Sequence, residues 1–463
     1  MKRLRNSCTG RWPVHIFRSI GVAASLVLAA APLSSAGAAP RAAAAKPTYG
    51  LSVEDFYRAR NGAPLWLAPA AGNAAQRLLL TIGNSRFDGL DPGKYRLDEV
   101  RKAMVEASKG KPKAIDRADR LLSEAFVAYV RDLRADPGIG ILYVDADLRP
   151  VAPTARAILG EAARSGSLEA YVASFGWMNP IYAQLRQALL AHNYSTAQER
   201  ERLGVNLERA RALPSGEGRY LIVNSAAQRL YMVEDGKIVD SMRVVVGKPK
   251  YPTPMMTAWV RFAALNPYWY VPPDLASERI APNVLKRGLG YLDELGYQVL
   301  DDWVENPTII DPKTVDWKAV ADGKTEIYIR QQPGPHNSMG RMKFMFPNVA
   351  GVYLHDNPER ELFEQAARLY SGGCVRLEDA ARLGRWLFGR DLVWEGAGTE
   401  EKVPLRMPVA VYITYLTAMP EAASVTWFDD VYERDAQRLA QRGGATALAG
   451  REAALTDTSS GRK

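Results

Sequence analysis

A histidine and a cysteine stand nineteen positions apart, and together they could form a base and a nucleophile. His355 comes first, and Gly372 and Gly373 directly precede Cys374. A cysteine attacks as the thiolate, so a reactive thiol needs a neighbouring group that takes its proton. Two glycines allow a sharp backbone turn in which N–H groups can face a developing oxyanion. We interpret the stretch as a thiol nucleophile with a histidine base.

The flanking elements must bring these two residues together. The apolar run from Val349 to Leu354 predicts a strand that ends at His355. Apolar residues at helical spacing over 377–388 predict a helix, so we expect Cys374 at a loop-to-helix junction, where a helix N-terminus lowers the pKa of a thiol. A single cysteine is more often a small buried residue. The two glycines and the histidine favour the catalytic interpretation.

The first 38 residues are typical of a secretory signal. Basic residues are followed by an apolar run from Gly21 to Leu33 and by Ala36-Gly37-Ala38, which fits a cleavage site. The alternative is an uncleaved membrane anchor, although an apolar run this short does not span a bilayer. Cleavage would remove Cys8 and five positive charges, so the net charge would fall from +9 to +4. That weak bias gives no argument for nucleic acid binding, and an exported, unpaired Cys374 favours a chemical use.

The rest of the chain predicts an α+β protein of several domains. Residues 39–205 show helical apolar spacing, most clearly from Arg117 to Leu133, and predict an all-helical domain. Residues 206–420 are rich in β-branched residues, with Asp235-Gly236 as a hairpin turn, and predict a mainly-β domain.

Two segments modify this division. Within the β domain, residues 276–323 predict a mostly helical insertion, which we expect to cover the site as a lid. Residues 421–463 predict a charged helix from Trp427 to Arg442, followed by a disordered tail.

The residues around the thiol resemble the catalytic domain of the L,D-transpeptidase (YkuD-like) family. That family has a histidine followed, after a similar interval, by Ser/Thr-His-Gly-Cys, and here fifteen residues separate His355 from Ser371-Gly372-Gly373-Cys374. Gly372 replaces the usual motif histidine, which puts the rate and the substrate fit in question more than the reaction class. Other stretches resemble the larger YcbB-like branch, which carries an N-terminal scaffold domain: Phe56-Tyr57-Arg58, 88–92, Thr253-Pro254, 266–272, 330–335, 343–348 and 355–358.

The resemblance implies roles for five residues. Cys374 would attack the carbonyl that precedes a terminal D-amino acid, and His355 would take the thiol proton. The backbone carbonyl of Asp356 would orient the imidazole. The N–H groups of Gly373 and Cys374 would meet the oxyanion, assisted by the hydroxyl of Tyr353, unless that side chain serves only for packing.

Three further residues are expected to contact the substrate, namely Arg376, Asn337 and Ser371. Arg376 stands two positions after the thiol, where it could hold a substrate carboxylate or favour the thiolate. The alternative is a structural ion pair with Glu378 or Asp379. We expect no cofactor and no metal, because the histidines are few and are not spaced as ligands.

The substrates of this family are the peptide stems of peptidoglycan. The resemblance therefore implies that a tetrapeptide stem forms a thioester with Cys374 and is passed to the amine of a neighbouring stem. The product is a 3-3 crosslink, made in cell wall biogenesis and organization and in control of cell shape. Two alternatives remain open: an L,D-carboxypeptidase or endopeptidase that transfers the stem to water, and a catalytically inactive wall-binding protein. We expect a periplasmic monomer that interacts with stems and with cell-wall synthesis proteins, and with no nucleic acid.

Overall fold

A computed structural model describes residues 49–216, 218–304, 306–396, 400–421 and 424–442. The predicted signal segment, 1–38, and the predicted disordered tail, 443–463, lie outside these ranges. None of the helices within them is both long and apolar enough for a membrane crossing. A helical N-terminal part precedes a β-rich C-terminal part, so the predicted α+β class is confirmed.

The N-terminal part packs its α-helices around one apolar core. Its longest helix repeats apolar residues at helical spacing, so one stripe is buried, including Phe126 and Val130. Trp66 and Trp177 both pack edge-to-face on Phe126 at the centre. The helices are α1 Tyr49–Ala59, α2 Ala74–Gly83, α3 Leu97–Ala107, α4 Pro112–Leu133, α5 Ala155–Arg164, α6 Leu168–Ala173, α7 Pro180–Leu190 and α8 Ala197–Ala210.

The helical part is longer than predicted and is not purely helical. Helix α8 continues to Ala210, beyond the predicted boundary at 205. A two-residue strand, β1 Leu142–Tyr143, pairs in parallel with Met256 and Thr257 of the C-terminal part. The prediction of an all-helical domain was wrong at this strand, because two residues are too few to show a period.

The C-terminal part consists mainly of strands. Asp235-Gly236 forms the predicted two-residue hairpin turn, with positive φ at both residues. The strands are β2 Arg219–Asn224, β3 Arg229–Glu234, β4 Lys237–Gly247, β5 Met256–Leu265, β6 Trp269–Val271, β7 Tyr297–Leu300, β8 Ile309–Ile310, β9 Tyr328–Gln331, β10 Met342–Met345, β11 Leu354–His355, β12 Leu369–Ser371, β13 Val375–Leu377, β14 Glu401–Thr414, β15 Ala418–Glu421 and β16 Ser424–Trp427.

The main sheet closes on itself. Strand β5 pairs with both β10 and β14, so the path β5-β10-β11-β13-β4-β3-β2-β14 returns to β5. Strand β1 adds to β5, and β12 adds to β4. The apolar side chains of one face form a buried core that includes Leu221, Val244 and Phe344.

The strand predicted over 349–354 is mostly a loop. Only Leu354 of that run is in β11, which continues to His355. The side-chain amide of Asn348 donates to the carbonyls of Phe346 and Val352, and this bond set turns the chain. Within this apolar run, Val352 and Leu354 are buried, whereas Val349 is exposed.

The segment expected to be a mostly helical lid is a mixed subdomain with its own core. Strands β6, β9, β7 and β8 form a separate sheet in that order. The prediction was wrong about these strands. Strands β6 and β9 lie on either side of 276–323, and their pairing cannot be recognised from either strand alone. The helices of the subdomain are α9 Pro273–Leu275, a π-helical turn at Ala276–Ile280, α10 Ala281–Arg287, α11 Gly290–Glu294 and α12 Trp317–Ala321.

Two helices complete the C-terminal part. Helix α13, Ala380–Phe388, follows β13, and α14 covers 434–442. The prediction of a helix from Trp427 was wrong at its start. The carboxylate of Asp430 accepts hydrogen bonds from the N–H groups of Asp435 and Ala436, so the first turn forms only there.

Candidate active site

Neighbouring strands place the candidate residues on one face of the main sheet. Lys343 of β10 lies opposite His355 of β11, and Leu354 lies opposite Val375 of β13. Side chains alternate along a strand, and both Leu354 and Val375 are fully buried in the core. The residues next to them, His355 and Cys374, therefore share the other face.

The imidazole of His355 is buried and is held through one nitrogen. Its Nδ1 lies 2.6 Å from the carbonyl oxygen of Asp356. A carbonyl only accepts, so Nδ1 carries the proton and Nε2 is the free acceptor. Burial and the positive charges of Arg376 and Lys343 lower the pKa of His355 to about 3. The ring is neutral at neutral pH, as a general base must be.

Cys374 precedes a strand rather than a helix. Strand β13 begins at Val375, and α13 begins only at Ala380. The predicted loop-to-helix junction was therefore wrong. The apolar pattern over 377–388 spans two elements, the last residue of strand β13 and helix α13.

The thiol of Cys374 is protonated at rest. Burial raises its pKa, and the backbone N–H of Tyr353 and the charges of Arg376 and Lys343 oppose that rise. The sulphur lies 3.5 Å from the carbonyl oxygen of Gly351. The resting site is thus a neutral thiol on the same sheet face as a neutral imidazole.

Ser371 fixes the loop before the thiol from inside. Its buried hydroxyl donates to the carbonyl of Cys374 at 2.6 Å and accepts the N–H of Gly373 at 3.1 Å. Gly373 has φ of +120°, a conformation that requires glycine. The hydroxyl of Ser371 and the N–H of Gly373 are thus engaged within the loop, and their contacts with the substrate and the oxyanion stay predictions. The N–H of Cys374, in contrast, has no acceptor among the residues that the structure describes.

Asn337 supports the backbone of the mixed subdomain. It is 1% exposed, and its Nδ2 donates to the carbonyls of Pro267, Gln331 and Gln332. Its Oδ1 accepts the N–H of Met339 at 2.7 Å. These bonds occupy the amide, and the contact of Asn337 with the substrate stays a prediction, because residue type alone does not distinguish an asparagine that closes a turn from one that faces a ligand.

Arg376 is held by an ion pair at the rim of the site. Its Nη1 lies 2.7 Å from a carboxylate oxygen of Glu359 and 3.2 Å from Oδ1 of Asn357. The alternative of a structural ion pair was right in kind and wrong in partner, because Glu378 pairs with Arg243 instead. The fixed charge of Arg376 acts on the imidazole and the thiol through space.

A second buried cation lies near the thiol. The Nζ of Lys343 pairs with Glu400 at 3.0 Å and donates to the carbonyl of Tyr268 at 3.2 Å. Burial lowers the pKa of Lys343. The one lysine within an otherwise apolar strand was a sequence signal, but Glu400 is distant in the chain and carried none.

Tyr353 places a hydroxyl on the site face without a hydrogen-bond partner among the described residues. Burial, the nearby thiol of Cys374 and the carboxylate of Glu400 raise its pKa, so the hydroxyl keeps its proton and can donate.

A cavity of about 980 Å³ opens beside Asp356, but neither His355 nor Cys374 lines it. Gly334, Pro335, Arg341 and Trp394 contribute to its wall. Within the described ranges, no group of three or more His, Cys, Asp or Glu side chains is arranged to hold a metal ion.

The fold and the site define a protein with a helical domain followed by a β-rich catalytic domain. A family model of the L,D-transpeptidase catalytic domain (YkuD) matches residues 218–402, and a model of the Scaffold domain matches residues 52–189. Residues 218–402 are therefore an L,D-transpeptidase catalytic domain, and a Scaffold domain precedes it.

One relative matches most of the chain. A Haemophilus influenzae protein described as "Putative L,D-transpeptidase" is 27% identical over 393 residues, which cover 82% of this chain and 78% of that protein. Among solved structures, an L,D-transpeptidase from Mycobacterium smegmatis is 14% identical, with a TM-score of 0.22, over 42% of this chain and 58% of its own. The catalytic domain of an Enterococcus faecium L,D-transpeptidase is 15% identical, with a TM-score of 0.19, over 42% and 97%. Scores this low carry no argument about the fold.

Proposed function

We propose that the protein forms 3-3 crosslinks between peptidoglycan stem peptides through a thioester on Cys374. One observation carries the proposal: a neutral imidazole with a free Nε2 and a partly buried thiol share one sheet face. The match to the L,D-transpeptidase catalytic domain supports this reaction class.

In the first step, the sulphur of Cys374 attacks the carbonyl carbon before the terminal D-amino acid of a tetrapeptide stem. Nε2 of His355 takes the thiol proton, and the carbonyl oxygen becomes an oxyanion. The N–H of Cys374 and the hydroxyl of Tyr353 donate to that oxyanion. The C–N bond then breaks, and the imidazolium returns the proton to the amine of the departing D-amino acid.

In the second step, the side-chain amine of a diamino acid in a neighbouring stem attacks the thioester carbonyl. His355 takes a proton from this amine, the C–S bond breaks, and the sulphur regains a proton. The carbonyl of Asp356 keeps Nδ1 protonated through both steps, so the same nitrogen, Nε2, transfers every proton.

The place of action follows from the substrate class. The basic and apolar pattern of residues 1–38 supports export to the periplasm, where peptidoglycan lies. We propose that the protein works there as a monomer on tetrapeptide stems, alongside cell-wall synthesis proteins.

Muropeptide analysis tests this function. The purified protein, without residues 1–38, is incubated with peptidoglycan rich in tetrapeptide stems, with Cys374→Ala as the matched control. We expect new 3-3 dimers with the first protein and none with the second.

Two other outcomes would replace the proposal. Tripeptide stems without dimers would indicate a hydrolase that transfers the thioester to water. No change with either protein, while a related enzyme is active under the same conditions, would indicate an inactive wall-binding protein.

A further inference from the structure

The last described segment of the chain reaches the turn beneath the thiol, although it lies beyond the matched catalytic region that ends at 402. Nη2 of Arg434 donates to the carbonyl of Thr253 at 2.9 Å. The hydroxyl of Tyr432 donates to the carbonyl of Gly247 at 2.5 Å. Gly247 is the last residue of β4, and Thr253 lies in the connection between β4 and β5.

That connection bonds directly to the motif loop. The hydroxyl of Thr253 donates to the carbonyl of Gly373 at 2.8 Å and accepts the N–H of Gly247 at 2.9 Å. Thr253 is fully buried. A Cβ on Gly247 would lie 2.0 Å from the carbonyl oxygen of Tyr251, so the connection is closely packed.

The bond to Gly373 determines where the next N–H points. The carbonyl of Gly373 and the N–H of Cys374 belong to one planar trans peptide unit, so they point in opposite directions. When Thr253 anchors the carbonyl, it also aims the N–H of Cys374. This N–H is the backbone donor that remains free for the oxyanion.

Arg434 is itself fixed in place. Its guanidinium lies 5.1 Å from the ring centroid of Tyr415 and 5.0 Å from that of Tyr432. The next residue, Asp435, pairs with Arg209 and with Arg202 of α8. The segment is therefore tied to the helical part on one side and to the motif loop on the other.

We propose that Arg434 and Thr253 are positioning residues that aim the N–H of Cys374 at the oxyanion. The inference rests on the proposed acyl transfer at Cys374. It assigns the C-terminal segment a role in the chemical step, rather than only in the stability of the chain.

Two reactions of the same thiol separate positioning from general damage. Iodoacetamide alkylates the thiolate without an oxyanion, whereas the β-lactam imipenem acylates the thiol through one. In the full chain, Arg434→Met should slow acylation by about 10–100-fold and leave alkylation within about twofold. Thr253→Val should do the same, and Thr253→Ser, which keeps the hydroxyl, should restore most of the acylation rate.

Arg438→Met is the matched control. Arg438 lies on the same helix and pairs with Glu208 at 2.6 Å, away from the β4–β5 connection. Both rates should remain those of the unaltered chain. The proposal is overturned if Arg434→Met and Thr253→Val leave acylation unchanged, if they slow both reactions equally, or if Arg438→Met slows acylation as much. Rapid acylation of the unaltered chain without 3-3 dimers would instead overturn only the proposed transfer to a stem.

Discussion

Two buried carboxylates of the helical domain are enclosed by donors, whereas several polar atoms of the candidate active site have no protein partner among the described residues. In the helical domain, the fully buried carboxylate of Asp119 accepts the N–H groups of residues 65–67 and the hydroxyl of Tyr57. The carboxylate of Asp88 pairs with Arg186 at 2.6 Å. A buried charge is tolerated when donors enclose it in this way.

The site treats its polar atoms differently. Among the described residues, Nε2 of His355, the N–H of Cys374 and the hydroxyl of Tyr353 have no protein partner. An unsatisfied buried group lowers stability, but it is also what a reacting group requires. Unlike the carboxylates of Asp88 and Asp119, these site atoms remain available to a substrate.

The largest effect should come from removing the open base. His355→Ala should slow acylation by imipenem about 10²–10⁴-fold at pH 7, because no group then takes the thiol proton. Alkylation by iodoacetamide at pH 9 should persist, which would show that the thiol is intact. Acylation within about tenfold of the original rate would contradict the assigned base.

Substitution in the buried ion pair of Asp88 and Arg186 should instead reduce the stability of the helical domain. Asp88→Ala leaves Arg186 buried without its charge partner and should lower the free energy of unfolding by about 3–5 kcal/mol. Asp55→Ala, which breaks an exposed pair with Arg58, should cost less than about 1 kcal/mol. Urea unfolding compares the two, and equal losses would contradict the comparison.

The same substitution, tyrosine to phenylalanine, can be made in the helical domain and at the candidate active site. Tyr57→Phe removes a donor to Asp119 and should cost about 1–3 kcal/mol of stability without slowing acylation. Tyr353→Phe should slow acylation about 10–100-fold, with a stability change below about 0.5 kcal/mol. If Tyr353→Phe reduced stability and left the rate intact, the hydroxyl would be a packing group only.

The smallest effect concerns the charge around the thiol. Because burial raises the pKa of Cys374, alkylation should increase about tenfold per pH unit from pH 7 to 8.5 without a plateau. Lys343→Met removes a charge that lowers this pKa and should slow alkylation at pH 8 by roughly two- to fivefold. The exposed Lys237→Met should have no effect. A plateau below pH 7 would mean that the thiolate already dominates at rest.

The sequence predicted that His355 and Cys374 lie together better than it predicted their surroundings. The interval between His355 and Cys374, together with the two glycines, was enough to predict the pair. In the structure, alternation of side chains along neighbouring strands places both residues on one face of the sheet. The sequence did not reveal that the side chains of Ser371 and Asn337 bond to backbone carbonyls. Residue type is the same whether a side chain points to a ligand or to its own loop.

Long-range pairing limited the prediction of the fold. The hairpin at Asp235-Gly236 was readable because its whole signal is local. The small sheet was not, since β6 pairs with β9 across the entire insertion. The contact of Arg434 with Thr253 could not be predicted either, because the two residues are far apart in the chain.

Strand β1 has a consequence for the order in which the chain is made. It belongs to the helical part, but it pairs with β5. Leu142 therefore cannot form its strand pairing until Met256 has been synthesised. During synthesis from the N-terminus, the first domain therefore stays incomplete until the second has begun. We expect a chain that starts after residue 143 to expose the edge of β5 as a template for another copy. The two domains are separate in the sequence, but they complete their folding together, because β1 of the first pairs with β5 of the second.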